Sequence, residues 1–179
     1  LKVLGVKIGL GSSSKNAEQI LSKLGLLDAF DTIVDGNPYI DASKPAAWSK
    51  LKAAKAFLNA YDYVFYLDMD VVIMNMNIEL QKFIALAPDA NLLLTSDANG
   101  INTGLMFLKA APWTSSFLET AWAQDHLALH ETSKDGIAYP FEYEQRAVHF
   151  MWATDIWTNR GLPIYPDYEN VRRNVAIFP

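Results

Sequence analysis

The sequence predicts an α/β fold with a mainly parallel central sheet and helices on both of its faces. Two observations carry that expectation. Short apolar runs alternate with segments of helical period, the order from which sheets with crossover helices are built. The run Tyr63 to Leu67 is continuously apolar, as in a strand covered on both sides, and it leads straight into Asp68-Met69-Asp70. Ligands of such folds gather at the carboxyl ends of the strands, where the two aspartates fall.

In chain order, Val3 to Ile8 reads as a strand, Gly9 to Lys15 as a Gly/Ser turn, and Asn16 to Leu27 as a helix with Ile20, Leu21, Leu24 and Leu27 on one stripe. Thr32 to Val34 is a short second strand. Pro45 opens a helix at its tolerated first position; Trp48, Leu51, Ala54, Phe57 and Leu58 form its apolar face through to Asn59, and Lys44, Lys50, Lys52 and Lys55 its basic face. After the Tyr63 to Leu67 strand come a helix near Ile78 to Leu86, a buried strand Asn91 to Thr95 and a strand Gly104 to Leu108. Helices near Thr114 to Asp125 and Glu142 to Trp152 follow.

Length and composition narrow the function classes. The chain has 179 residues, 51% of them hydrophobic and none cysteine, and lacks a repeat or a linker-like tract, so residues 1–179 are expected to form a single domain. Fifteen Lys and Arg against 20 Asp and Glu leave a net charge of −5, which argues against a grip on a nucleic-acid backbone while allowing a nucleotide as a small ligand. Without cysteine there is no disulfide framework, thiolate zinc site or Cys nucleophile. Every apolar run is shorter than the ~18 to 20 residues that cross a bilayer, so no membrane span is expected in this chain.

The chemistry centres on Asp68 and Asp70. Two residues apart at the end of an extended strand, their carboxylates project to the same side and can share a cation, and hard oxygen donors select Mg2+ or Mn2+ over zinc. Two reactions use such a strand end. In phosphoryl transfer of the haloacid-dehalogenase type, Asp68 is the nucleophile and Asp70 the acid/base, and Leu92-Leu93-Leu94-Thr95 imitates that superfamily's second motif. The expected late acidic pair is not found. In glycosyl transfer of the GT-A type, a metal on the aspartates neutralises the diphosphate of a departing nucleotide. A non-catalytic domain that binds sugar or nucleotide is a third reading.

Four ordered segments resemble glycosyltransferase family 34: Lys44-Pro45-Ala46-Ala47-Trp48-Ser49-Lys50, Tyr63-Val64-Phe65-Tyr66-Leu67-Asp68-Met69-Asp70, Ile101-Asn102-Thr103-Gly104-Leu105-Met106-Phe107-Leu108 and Glu144-Gln145. That family holds galactosyl-, mannosyl- and xylosyltransferases; family 8 is a near neighbour, and viral and algal glycan-building enzymes belong to the wider group. The resemblance implies a GT-A fold, a uridine-diphosphate sugar as donor, Mn2+ or Mg2+ as cofactor, a carbohydrate or glycoprotein acceptor, and retention of anomeric configuration. It implies metal ligation by Asp68 and Asp70, with Asp68 also on the ribose. Trp48 and Lys50 are implied in the donor pocket, Asn102 and Gly104 near the sugar or acceptor, and Glu144 and Gln145 beside the anomeric carbon as catalytic residues. Glu144 stands where the family usually has Asp. The family's late His-Phe metal ligand is missing from Val175 to Pro179, which leaves His149, in His149-Phe150, as the nearest substitute. A viral or algal enzyme implies a cytoplasmic location, and removal of an N-terminal anchor implies the Golgi lumen.

Weaker signals complete the reading. Gly9-Leu10-Gly11-Ser12-Ser13-Ser14 resembles a dinucleotide fingerprint with Ser14 in place of its third glycine and Asp35 at a ribose-binding distance; in the GT-A reading this loop, with Ser12, borders the base and ribose. Trp113, Trp122, Trp152 and Trp157 read as core or rim, and His126 and His130 as capping or surface residues. Arg172 and Arg173 read as an exposed pair able to clamp a phosphate.

Overall fold

The computed structural model describes residues 7–12, 16–34, 49–68, 71–75, 77–98, 100–124, 127, 143–153 and 163–179. Asp70, Trp48, Asp35, His126, His130 and Trp157 lie outside them, as does the start of the helix expected at Pro45. The chain divides into two compact units, residues 1–56 and 57–179.

In the first unit, β1 (Gly9–Gly11) pairs in parallel with β2 (Thr32–Val34), Gly9 opposite Thr32. The described part of the first strand thus falls on the glycines expected to turn. A Cβ on Gly11 would lie 2.9 Å from the Ala53 Cβ, so glycine lets this strand approach α2 (Ser49–Leu58), the helix the Lys-rich periodicity predicts. Leu51, Ala53 and Ala54 are its buried face. Helix α1 is shorter than expected, Ala17–Lys23, followed by a 3-10 turn at Leu27–Ala29. Three of the four stripe residues, Ile20, Leu24 and Leu27, stand in solvent, Leu21 is half-buried, and Ala17 is the helix's buried residue.

The second unit is built on a four-stranded sheet of order β3-β5-β4-β6, with β3 at Tyr63–Leu67, β4 at Leu92–Asp97, β5 at Gly100–Lys109 and β6 at Val175–Phe178. β5 runs antiparallel to both β3 and β4, whereas β4 and β6 are parallel, so the sheet is mixed and the expectation of a mainly parallel one is corrected. The cause is local. Asp97 pairs with Gly100, so two residues join β4 to β5; a connection that short makes a hairpin, and Gly100 adopts the positive φ (112°) that its turn requires. A second correction concerns β3. Its five residues are half-buried and so not covered on both sides as expected, and among the described residues its one neighbour in the sheet is β5.

The faces follow the period of two. Phe65, Leu93 and Phe107 lie in one cross-strand row, with the Phe65 and Phe107 rings stacked at 4.2 Å, and Leu80, Ile84 and Ala87 around α3 (Gln81–Leu86) pack on that side. Leu92, Leu94, Met106 and Leu108 alternate to the opposite face and are fully buried. Helix α5 (Tyr143–Trp152) packs on β5, and α4 (Pro112–Ala123) and α6 (Tyr168–Asn174) pack on α5. Pro112 starts α4 at the position where a missing N–H costs nothing. Both α6 and β6 go beyond the elements expected from sequence. Arg172 of α6 donates through Nε to the Trp152 carbonyl and lies 4.6 Å over the Trp152 ring, which places a cation at the C-terminus of α5.

Candidate functional site

The site grows from an irregularity in β5. Leu94 pairs with Met106 and the next residue of β4, Thr95, pairs with Asn102, so Thr103, Gly104 and Leu105 have no counterparts on β4. Such a bulge re-aims side chains next to it. Here it carries Asn102, Thr103 and Gly104 between the end of β3 on one side and α5 on the other.

On the β3 side, the Asp68 N–H donates to the Gly104 carbonyl at 2.8 Å, which holds Asp68 against the bulge one residue beyond the strand. A Cβ on Gly104 would lie 3.0 Å from Asp68 Oδ2 and 2.9 Å from Asn102 Oδ1. Asp68, Asn102 and Gly104, three residues the sequence singled out, therefore meet around the α-carbon of a glycine. Asn102 is oriented from both ends: Oδ1 accepts the Gly104 N–H at 2.7 Å, and Nδ2 donates to Asp97 Oδ2 at 2.7 Å. Asp68 is oriented by Tyr66, whose hydroxyl donates to Oδ1 at 2.6 Å. Asp97 and Tyr66 were not foreseen in these roles; the alternation of β3 puts residues 66 and 68 on one side and was the available signal.

On the other side, α5 presents Glu144, Gln145 and His149 to the same strand. The Thr103 hydroxyl, fully buried, donates to Glu144 Oε1 at 2.8 Å. The Thr103 N–H donates to Gln145 Oε1 at 3.2 Å, and the Ile101 N–H donates to His149 Nε2 at 3.2 Å. Alternate N–H groups of β5 that a neighbouring strand would otherwise receive are thus satisfied by helix side chains. Glu144 and His149 are each about 3% exposed, whereas Gln145 is half-buried. Burial pushes the His149 imidazole down from 6.5 to about 4, so the ring is neutral at physiological pH and Nε2 is its acceptor. The sequence's candidate metal ligand His149 thus accepts the Ile101 N–H through Nε2. Gln145 turns its carbonyl oxygen to Thr103, leaving the Nε2 amide as its donor end.

Of the other expected site residues, Ser12 and Lys50 belong to the first unit, and Lys50 is half-buried on α2. Arg172 engages Trp152 as described. Among the described residues no group of three or more His, Asp or Glu is gathered to hold a metal ion, and no helix is long and apolar enough to cross a membrane.

The scaffold is that of an α/β protein with a mixed sheet and a polar cluster at a strand end. A solved structure similar to this chain is described as the crystal structure of a glycosyltransferase involved in the glycosylation of the major capsid of PBCV-1. It is 16% identical, with a TM-score of 0.49, over 95% of this chain and 79% of that one. No family model and no curated protein matches the sequence.

Proposed function

We propose that the chain is a metal-dependent glycosyltransferase that moves a sugar from a nucleoside-diphosphate sugar, a uridine-linked one by its motifs, to a carbohydrate acceptor. The observation that carries this reading is the meeting of the Asp68 carboxylate and the Asn102 carboxamide around Gly104, whose missing side chain lets both oxygens close on its α-carbon at the end of β3. Two carboxylates two residues apart at a strand end, Asp68 and Asp70 in the sequence, are the hard oxygen donors a divalent cation takes. Asp68 and Asp70 would hold Mn2+ or Mg2+; so small a protein shell suits an ion that also binds phosphate oxygens and water. When bound, the ion would supply charge to offset a departing diphosphate.

The chain's own residues divide the remaining work. Asn102 orients a sugar or acceptor hydroxyl, and Gln145, with its amide N–H group, donates to the transferred sugar. Glu144 acts behind them, holding Thr103 and through it the bulge. The family resemblance implies a donor-binding role for Trp48 and Lys50, Lys50 as a cation that would offset phosphate charge, and the GT-A reading implies one for Ser12 of the Gly/Ser loop.

The test is calorimetry with a uridine-diphosphate sugar and Mn2+. Parent protein is expected to bind only with the metal present, and Asp68→Asn to weaken binding at least about 100-fold with thermal unfolding little changed. A tight complex with beryllium fluoride and Mg2+, without sugar-nucleotide binding, would instead establish phosphoryl transfer through Asp68.

A further inference from the structure

We infer that Asp97 is a positioning residue for donor recognition: through Asn102, the β4–β5 hairpin sets the orientation of the amide that meets the donor's sugar. The inference rests on the donor-site reading above. Thr95 stands opposite Asn102 in the ladder, and Asp97, two residues further along β4, shares its side, so the Asp97 carboxylate falls diagonally across the strands from the Asn102 carboxamide. Asn102 Nδ2 donates to Asp97 Oδ2 at 2.7 Å, and Asn102 Oδ1 accepts the Gly104 N–H at 2.7 Å. A carboxylate only accepts and a backbone N–H only donates, so the two partners together fix which end of the amide is oxygen.

These bonds form a continuous line. It starts at the turn, where Asp97 pairs with Gly100, passes through the Asn102 amide to the Gly104 N–H, and leaves by the Gly104 carbonyl, which accepts the Asp68 N–H at 2.8 Å. The exposed hairpin thereby fixes a half-buried side chain beside the end of β3. Asn102 shares the α-carbon of Gly104 with Asp68, the residue assigned to the donor, so the sugar of that donor is the group within its reach. An amide held in one orientation before the ligand arrives spares binding the cost of ordering it. Without Asp97 the Gly104 N–H remains as a restraint at the oxygen end, and the nitrogen end loses its own.

Asp97→Ala and Asp97→Asn are compared with the parent in two measurements. Without ligand, the side-chain amide resonances of Asn102, assigned by their loss in Asn102→Ala, are expected to move in Asp97→Ala; unmoved resonances overturn the positioning role. Calorimetry in Mn2+ then sets UDP alone against UDP-galactose and UDP-xylose. Asp97→Ala is expected to lose about tenfold in affinity for a sugar nucleotide and no more than about twofold for UDP, while Asp97→Asn, which keeps an oxygen to accept the amide, stays within about threefold of the parent. Added to Asn102→Ala, the Asp97→Ala change is expected to weaken binding no further, because its effect passes through the amide already removed. The same loss in both backgrounds overturns the inference, since Asp97 then meets the ligand itself, and so does an equal loss for UDP and the sugar nucleotides. A parent that binds neither UDP nor either sugar nucleotide overturns the donor-site reading, while the resonances still decide whether Asp97 orients Asn102.

Discussion

The two flanks of the β5 bulge are built on different physical terms. At the β3 flank, Asp68 and Asn102 are half-buried and crowd the α-carbon of Gly104. At the α5 flank, Thr103, Glu144 and His149 are almost wholly buried, and their bonds join helix to strand. One flank keeps its polar groups half-buried at a strand end, and the other buries its polar groups in holding the strand. A change on the first should therefore alter binding more than stability, and a change on the second stability more than binding.

The sharpest way to break this contrast is Gly104→Ala. The new methyl would sit at 3.0 Å from Asp68 Oδ2 and 2.9 Å from Asn102 Oδ1, so one or both side chains must move. Metal-dependent donor affinity is expected to fall by roughly 10- to 100-fold, and the melting temperature by no more than about 4 °C. A large loss of stability with normal binding would place Gly104 in the framework and erase the contrast.

His149 tests the opposite flank through pH. Its folded pKa, about 4, lies below the 6.5 of an unperturbed imidazole, so the unfolded chain binds the extra proton between those values. The stability associated with neutral His149 is complete above pH 6.5 and is lost as the pH falls toward 4. His149→Gln keeps an acceptor for the Ile101 N–H and cannot titrate. Between pH 7 and pH 5 the parent should lose about 2 kcal/mol more than this variant in urea unfolding. Parallel pH profiles would show that the buried imidazole is not what couples the flank to protons.

The smallest effect belongs to Thr103→Val, which keeps shape and removes the donor to Glu144 Oε1. Stability should fall by about 1 kcal/mol, or some 2 to 4 °C in melting temperature, with donor affinity within about twofold of the parent. Greater damage to affinity than to stability would show the buried flank taking a direct part in binding.

The residues themselves explain how far the sequence could be read. Asp68 was legible from paired acids after an apolar strand, and Asn102 and Gly104 from the likeness of their segment to a family motif. Glu144, Gln145 and His149 were legible as members of one helix. Their bonds to Ile101 and Thr103 were not, because contacts across 41 to 48 positions leave no local period. The mixed sheet was partly legible. Asn99-Gly100 between two apolar runs is a hairpin signal, and heeding it would have turned β5 against β4. The C-terminal strand passed unnoticed because Val175 to Phe178 is four residues long and acquires its meaning only beside β4.

By itself, then, the sequence determined what a local pattern can carry: the apolar strands, the helix near Thr114, the acidic strand end and the exclusion of cysteine chemistry. Tertiary structure decided the rest. The bulge at Thr103 to Leu105 exists because Leu94 and Thr95 keep partners on either side of it, and the choice of Oδ1 for Tyr66 and of His149 for the Ile101 N–H depends on which groups the packed elements bring within hydrogen-bond reach. Register and buried polar pairing are properties of two or more segments at once, set by how each unpaired N–H or oxygen finds its partner as water leaves.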